Sequence, residues 1–262
     1  MGKLDGKVVI VTGASRGIGA EIARVFASEG GKVVCVARTL KEGDHQLEGS
    51  LDTTLKGIKD AGGEATAVAA NISEPTECED LVAKARETYG PIDVLVNNAA
   101  LTYFQPINGF PLRRWERMLA VDLTAPFLLA QAVIADMITA GGGHIINISS
   151  RASVHPEGPP YELPAGGGTV YGTVKAGIER FTTGLAHELY GSAIAVNSLA
   201  PTGIVASPGV LFHKLIKDET DPRAEPIAYM AKATLILATC DPKTLTGRVA
   251  YSQPLLKEHG QL

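Results

Sequence analysis

An α/β fold is predicted: one doubly wound domain over residues 1–262, with a parallel sheet of about seven strands and helices on both faces. Three observations predict it. Short, wholly apolar runs such as KVVIVT at Lys7–Thr12 recur along the chain, longer helical patterns separate them, and no linker or repeat breaks the alternation. Strands apolar on both faces and joined by helices belong to parallel sheets covered on both sides.

In chain order, Lys7–Thr12 is the first strand. Gly17 to Glu29 follows as a helix, with Ile18, Ile22, Val25 and Phe26 at helical spacing and Gly30-Gly31 as its stop. Lys32–Ala37, Glu64–Ala70, Asp93–Val96, His144–Ser149 and Ala193–Ser198 are the next five strands, and Arg248–Ser252 is the last. Helices are expected over 51–61, 76–89, 112–139, Val170–Tyr190 and 225–239. Arg151–Thr169 and Ser207–Pro226 read as loops, and loops at strand C-termini build the ligand site of an open α/β sheet.

Composition narrows the class. Hydrophobic residues make up 45% of the chain and charged ones 20%, which excludes a disordered protein. A formal net charge of −4, with no Lys/Arg-rich run, argues against nucleic acid as a partner. Cys35, Cys78 and Cys240 form no CxxC pair, so neither a disulfide framework nor a metal is expected. The leading apolar run Val8–Val11 is too short for a signal peptide, and Met118–Ala140 is interrupted by Asp122, Gln131 and Asp136. A cytoplasmic protein without membrane contact is therefore expected.

The first strand runs into Thr12-Gly13-Ala14-Ser15-Arg16-Gly17-Ile18-Gly19. Glycine at the strand end permits a tight turn, the next allows backbone close to a phosphate, and the last lets helix pack on strand. A pyrophosphate then sits on the helix N-terminus, where free N–H groups and the dipole favour an anion. The same residues also fit G-x-S-x-G, which would make Ser15 a hydrolase nucleophile. That motif normally follows several strands and needs an oxyanion segment upstream, for which twelve residues leave no room.

Tyr171-Gly172-Thr173-Val174-Lys175 opens a predicted helix, and the i, i+4 spacing puts phenol and ammonium on one face. A phenol titrates near 10, and bringing it to about 7 takes roughly 4 kcal/mol. One cation about 4 Å away supplies about that much at an effective dielectric near 20. Such a tyrosine can move a proton on and off an alcohol oxygen. Ser149 and Ser150 end the fifth strand, where a hydroxyl can stabilise charge on a carbonyl oxygen.

Thr12–Gly19 (TGASRGIG), Asn97–Ala100 (NNAA), Ser150 and Tyr171-x3-Lys175, in this order, resemble the short-chain dehydrogenase/reductase family across essentially the whole chain. The resemblance implies a Rossmann domain that binds NAD(P)(H), transfers hydride at the nicotinamide and forms a homodimer or homotetramer. It implies that 1–140 mainly bind the dinucleotide and 141–262 mainly supply catalysis and substrate contacts. Tyr171 would be the acid/base, Ser150 would orient the carbonyl, and Lys175 would activate Tyr171 and hold the ribose. The cofactor would meet Gly13, Ser15, Gly17, Ile18, Gly19, Thr39, Asn71, Ile72, Asn97, Ala99, Pro201 and Ile204 as well.

NAD enzymes usually end the second strand with a carboxylate for the ribose 2′-OH. Here Ala37 stands there, followed by Arg38, while Arg16 sits in the glycine turn. Two guanidiniums and no carboxylate favour NADP(H) over NAD(H).

Three departures from the family pattern stand out. Asp122 occupies the place of the family's catalytic Asn, and an anion there would offset part of Lys175's field and shift activity to alkaline pH. The Ser150–Tyr171 interval is long, which makes His155, Tyr161 and Glu162 candidate substrate contacts. The family's Pro-Gly appears as Pro201-Thr202-Gly203, and the long stretch Lys41–Leu51 is placed to cover the adenosine end. The expected activity is an NADP(H)-dependent carbonyl reductase or alcohol dehydrogenase for an apolar small molecule, with Phe212 among its contacts. The rival from another class is a non-catalytic NADP(H) sensor, suggested by Asp122; the Ser15 hydrolase stands further off.

Overall fold

The computed structural model describes residues 2–161 and 166–262. Its centre is a seven-stranded sheet in the order β3-β2-β1-β4-β5-β6-β9, parallel throughout. The strands are β1 (Val8–Thr12), β2 (Lys32–Ala37), β3 (Glu64–Ala69), β4 (Val94–Asn97), β5 (Gly143–Ile148), β6 (Ile194–Ala200) and, at the far edge, β9 (Val249–Tyr251). Intervening helices are α1 (Gly17–Ser28), α2 (Leu51–Asp60), α3 (Pro75–Tyr89), α4 (Leu112–Leu119), α5 (Ala125–Thr139), α6 (Thr169–Leu189), α7 (Pro208–Phe212), α8 (Ile227–Ala238) and α9 (Ser252–Glu258). A second, two-stranded parallel ladder joins β7 (Ile204–Val205) to β8 (Ala224–Glu225). The sequence predicted the doubly wound sheet, and the structure has it.

Alternation along β1 builds two cores. Val9 and Val11 face one side with Ile22 and Phe26 of α1, Leu51 of α2, Met230 of α8 and Leu255 of α9. Val8 and Ile10 face the other side with Leu81 of α3, Leu129 of α5 and Leu185 of α6. Each residue therefore buries its side chain against a helix, as period-two alternation in a covered sheet requires. Phe26 and Leu129 are wholly buried. At roughly 1.5–3 kcal/mol per buried apolar side chain, each core needs no disulfide to hold it.

β1 pairs with β2 on one side and β4 on the other, so successive connections leave it in opposite directions. The loops after β1 and β4 diverge and open a crevice at the C-terminal edge, which is where such sheets bind ligands.

Local readings differ from the structure in four places. The helix expected at 112–139 contains a π turn at Ala120–Thr124, which places Asp122 on the inward side. Glu225 and Ser252, read as helix start and strand end, belong instead to β8 and α9. Within the stretch read as loop, Ser207 caps the short α7 by accepting from the Val210 N–H. The 112–139 segment is long and apolar enough to cross a membrane by length and composition alone. Met118, Ala125, Leu129, Val133 and Met137 of this segment are all buried within the fold.

Candidate active site

The crevice is a cleft of about 1270 Å³ running from β2 and the glycine turn to Tyr171 and α7. Pockets for one drug-sized ligand measure roughly 300–1,000 Å³, so this one has room for two molecules end to end.

At one end, Gly13 and Gly17 have φ of +69° and +57°, conformations that L side chains rarely adopt. Gly19 does a different job. A Cβ there would lie 2.4 Å from both Asn98 Nδ2 and the Gly13 carbonyl oxygen, so its bare backbone lets α1 close onto the turn. Thr12 Oγ1 accepts from the Asn98 and Ala99 N–H groups (3.0 and 3.1 Å), and Asn98 Nδ2 donates to the Thr12 carbonyl at 2.9 Å. The loop after β4 is thereby fastened to the turn after β1. Among the described residues no side chain caps the start of α1, which leaves its first N–H groups for an anion.

Arg16 lies on the wall of this end. One of its terminal nitrogens contacts His45 Nδ1 at 2.9 Å, the other donates to the Gly49 carbonyl at 2.7 Å, and Nε is buried without a partner among the described residues. Burial and then Arg38 push its guanidinium below the ordinary range, with Glu42 opposing. Arg38 and Thr39 follow β2 along the same wall. His45, Gln46 and Leu47 cover it, so the segment after β2 does lie over this end. His45 is itself pushed below the ordinary histidine range, chiefly by burial and then by Arg16 and Arg38. Ser15, Ile18, Asn71, Ile72 and Ala99 complete this wall.

At the other end α6 carries Tyr171 and Lys175, one turn apart. Lys175 is buried, its Nζ donates to the Ile148 carbonyl at 3.0 Å, and it lies 5.7 Å from the Tyr171 ring centroid. Asp122 Oδ2 lies 4.0 Å from the Lys175 ammonium, and Oδ1 accepts from the Leu101 N–H at 2.7 Å. Burial pushes the Asp122 carboxyl up to about 6, against the pull of Lys175 and of the Leu101 N–H.

Ser150 lines the cleft and caps the turn Arg151–Ser153, its Oγ accepting from the Ala152 N–H at 3.2 Å. Ser149 also reaches the cleft, but its hydroxyl donates to Glu179 at 2.6 Å. Of the two serines at the end of β5, Ser150 is the one whose hydroxyl hydrogen is uncommitted among the described residues. Pro201, Ile204 and Phe212 line this end too.

Several expected contacts fall elsewhere. Asn97 is buried beneath the cleft, donating to Asn147 Oδ1 at 2.8 Å, while Asn147 donates to Thr182. It pins β4 to β5 and α6 and does not line the wall; neither does Gly19. His155 lies in a separate groove beside Glu179, Arg180 and Thr183, because the chain after Ser153 turns away from the mouth. Tyr161 is 68% exposed and not on the cleft wall. Glu162 lies outside the described residues. Among the described residues no hydrogen bond joins Ser15 to a histidine, so the nucleophile reading has no partner for its base. Phe104, His213 and Arg151 were missed. Phe104 meets Tyr171 edge-on at 5.9 Å and His213 at 6.3 Å, contacts between remote segments that no local spacing signals.

The residues fit a dinucleotide: a turn whose backbone at Gly13 and Gly17 favours glycine and, among the described residues, a buried guanidinium nitrogen without a partner and an uncapped helix start. The family pattern described as short chain dehydrogenase matches residues 7–210. A short chain dehydrogenase of Pseudocercospora fijiensis is 32% identical, with 94% of this chain and 80% of that one covered. The 3-oxoacyl-[acyl-carrier-protein] reductase FabG of Thermotoga maritima is 31% identical, over 94% and 96%. Among solved structures, a metagenomic short-chain oxidoreductase in complex with NADP superposes with a TM-score of 0.76 at 32% identity, over 95% and 97%.

Proposed function

The chain belongs to the short-chain dehydrogenase/reductase family of nicotinamide-dependent oxidoreductases, and from that premise we propose an NADP(H)-dependent enzyme that interconverts a carbonyl and a secondary alcohol on an apolar small molecule. The observation that carries this reading is Tyr171 on the cleft wall with the buried ammonium of Lys175 behind it. The bound dinucleotide supplies or accepts the hydride.

The chain's own groups handle the proton and the oxygen. Tyr171 Oη gives a proton to the carbonyl oxygen in reduction and removes it from the alcohol in oxidation. The Ser150 hydroxyl donates to the same oxygen and stabilises charge that develops there. Lys175 holds a positive charge beside the phenol, and Asp122 opposes part of that field. Phe104, Val210 and Phe212 exclude water from the space beside Tyr171 and favour an apolar substrate.

Preference for NADP(H) is supported by Arg16 in the glycine turn and Arg38 just after β2, whose end carries no carboxylate. The NADP-bound relative points the same way. Work is divided unevenly between the halves: 1–140 hold most of the dinucleotide wall, yet Asp122 and Phe104 serve the tyrosine end, and Pro201 and Ile204 return to the cofactor from the second half. We place the protein in the cytoplasm as a homodimer or homotetramer, which sedimentation of the purified chain tests.

The decisive experiment mixes purified protein with NADPH or NADH and a panel of ketones and aldehydes, and follows nicotinamide absorbance. Turnover favouring NADPH supports the reading. Tight NADPH binding with no turnover on any carbonyl makes the protein a sensor, and a preference for NADH overturns the cofactor assignment.

A further inference from the structure

Glu225 is 3% exposed, yet among the described residues no lysine or arginine pairs with it. Arg223, two positions earlier, is turned onto Asp221 instead. A carboxylate buried this deeply is costly unless its lone pairs are filled. Here neutral donors fill them. The Thr202 and Gly203 N–H groups donate at 3.1 and 2.9 Å, the Ser252 hydroxyl lies 2.8 and 3.0 Å from the two oxygens, and Gln253 Nε2 donates at 3.1 Å.

These donors come from separate parts of the chain. Thr202 and Gly203 form the turn after β6, whose residues Pro201–Ile204 line the cleft. Ser252 and Gln253 open α9 at the far edge of the sheet. Glu225 itself sits on β8, in register with Val205 of β7, so it marks both feet of the excursion 206–223 that carries α7. The turn is also tied forward: Arg151, next to Ser150, donates to the Thr202 carbonyl at 3.2 Å. This turn departs from the family pattern, with Thr202 standing between Pro201 and Gly203.

We propose that Glu225 is a positioning residue for the nicotinamide half of the cofactor: its carboxylate fixes the Pro201–Ile204 backbone at the tyrosine end of the cleft and anchors the feet of the α7 cover. The inference rests on the dinucleotide reading above. It makes the two halves of the cofactor separable. Removing the carboxylate orphans the Gly203 N–H, leaves the Thr202 N–H to the Ser252 hydroxyl at 3.0 Å and frees the turn, while the glycine turn, Arg16 and Arg38 keep their own contacts.

The test compares two probes on the full chain by calorimetry: NADP⁺, and adenosine 2′,5′-bisphosphate, which has the adenosine end alone. Glu225→Ala is expected to weaken NADP⁺ by about tenfold or more, the scale of leaving a buried N–H group unpaired. Affinity for the bisphosphate should stay within about twofold, the range of a site left intact. Glu225→Gln retains one oxygen as acceptor for both N–H groups and should recover most of the loss. Ser252→Ala removes one donor to the carboxylate and the hydroxyl that shares the Thr202 N–H at 3.0 Å, but leaves the carboxylate on both turn N–H groups, so it should weaken NADP⁺ several-fold less than Glu225→Ala does. In turnover, KM for NADPH should rise more than kcat falls. Unchanged NADP⁺ affinity in Glu225→Ala overturns the proposal, as does an equal loss of both probes. If that variant does not fold, Ser252→Ala with unchanged NADP⁺ affinity overturns it instead. A wild-type chain that binds neither probe would sink the dinucleotide reading itself.

Discussion

At the glycine-turn end of the cleft the turn itself is bare backbone, held by neighbours in a parallel ladder. Gly13, Gly17 and Asn98 belong to turns that leave adjacent strands, and their contacts follow from strand pairing. At the tyrosine end, segments from five places converge: Phe104, Ser150, α6, the turn after β6 and α7. They are joined by side chains, namely Glu225, Arg151 and an edge-on aromatic pair. The first end is built by close approach, where a methyl group is already too much. The second is built by tethers, each of which can be cut without moving the sheet. Such a division suits an enzyme whose cofactor grip stays constant while its substrate pocket changes.

The comparison can be broken hardest at the tyrosine end. Tyr171→Phe should lower kcat by about 10³-fold, the usual worth of a positioned acid/base, while NADPH titration stays unchanged. A variant that turns over normally would remove Tyr171 from the chemistry.

At the other end, Arg16→Ala combined with Arg38→Asp should cut the NADPH-to-NADH ratio of kcat/KM by about a hundredfold. It removes two charged hydrogen-bonding groups and adds a repelling one. An unaltered ratio would deny the guanidiniums any role in cofactor choice.

Gly19→Ala sharpens the contrast between methyl-intolerant and tether-built regions. The added carbon meets a backbone oxygen at 2.4 Å, so urea denaturation should show a loss of about 1–3 kcal/mol. Ser150→Ala, which cuts one cap at the tether-built end, should cost about 1 kcal/mol. Equal losses would erase the distinction.

The smallest effect concerns Asp122. Its carboxyl is raised in the fold, so folding favours its protonated form and wild-type stability declines as pH climbs towards and through about 6. Asp122→Asn removes that decline, and thermal melts at pH 5 and 8 should differ less than in wild type. Above about pH 6 the anion opposes Lys175, so the Asn variant should also reach half-maximal kcat at a lower pH, by a fraction of a unit up to about one. A superimposable pH profile would leave Asp122 with a packing role only.

What could be read from the sequence followed distance along the chain. The glycine turn and the Tyr171–Lys175 pair are local spacings, and strand or helix periodicity converts such spacings directly into geometry. The strands were legible because β1 and β5 are apolar on both faces. Asn97 was misplaced because its partner Asn147 is fifty residues away and buries it under the wall. His155 was misplaced because a long loop gives no period from which to tell its direction. Glu225 looked like a helix start, since its four partner residues lie at least twenty-two positions from it. The π turn left no trace in the apolar pattern of 112–139, because one added residue shifts the phase without changing composition.

That π turn has an evolutionary corollary. A helix holding one surplus residue has two faces out of step by about 100°, and here the mismatch lets Met118 and Leu129 both stay inside while Asp122 reaches the ammonium. Deleting any one residue between Ala120 and Thr124 would restore an ordinary helix and swing everything upstream round by that angle. Insertions and deletions should therefore be barred from this short window, even where point substitutions within it are tolerated.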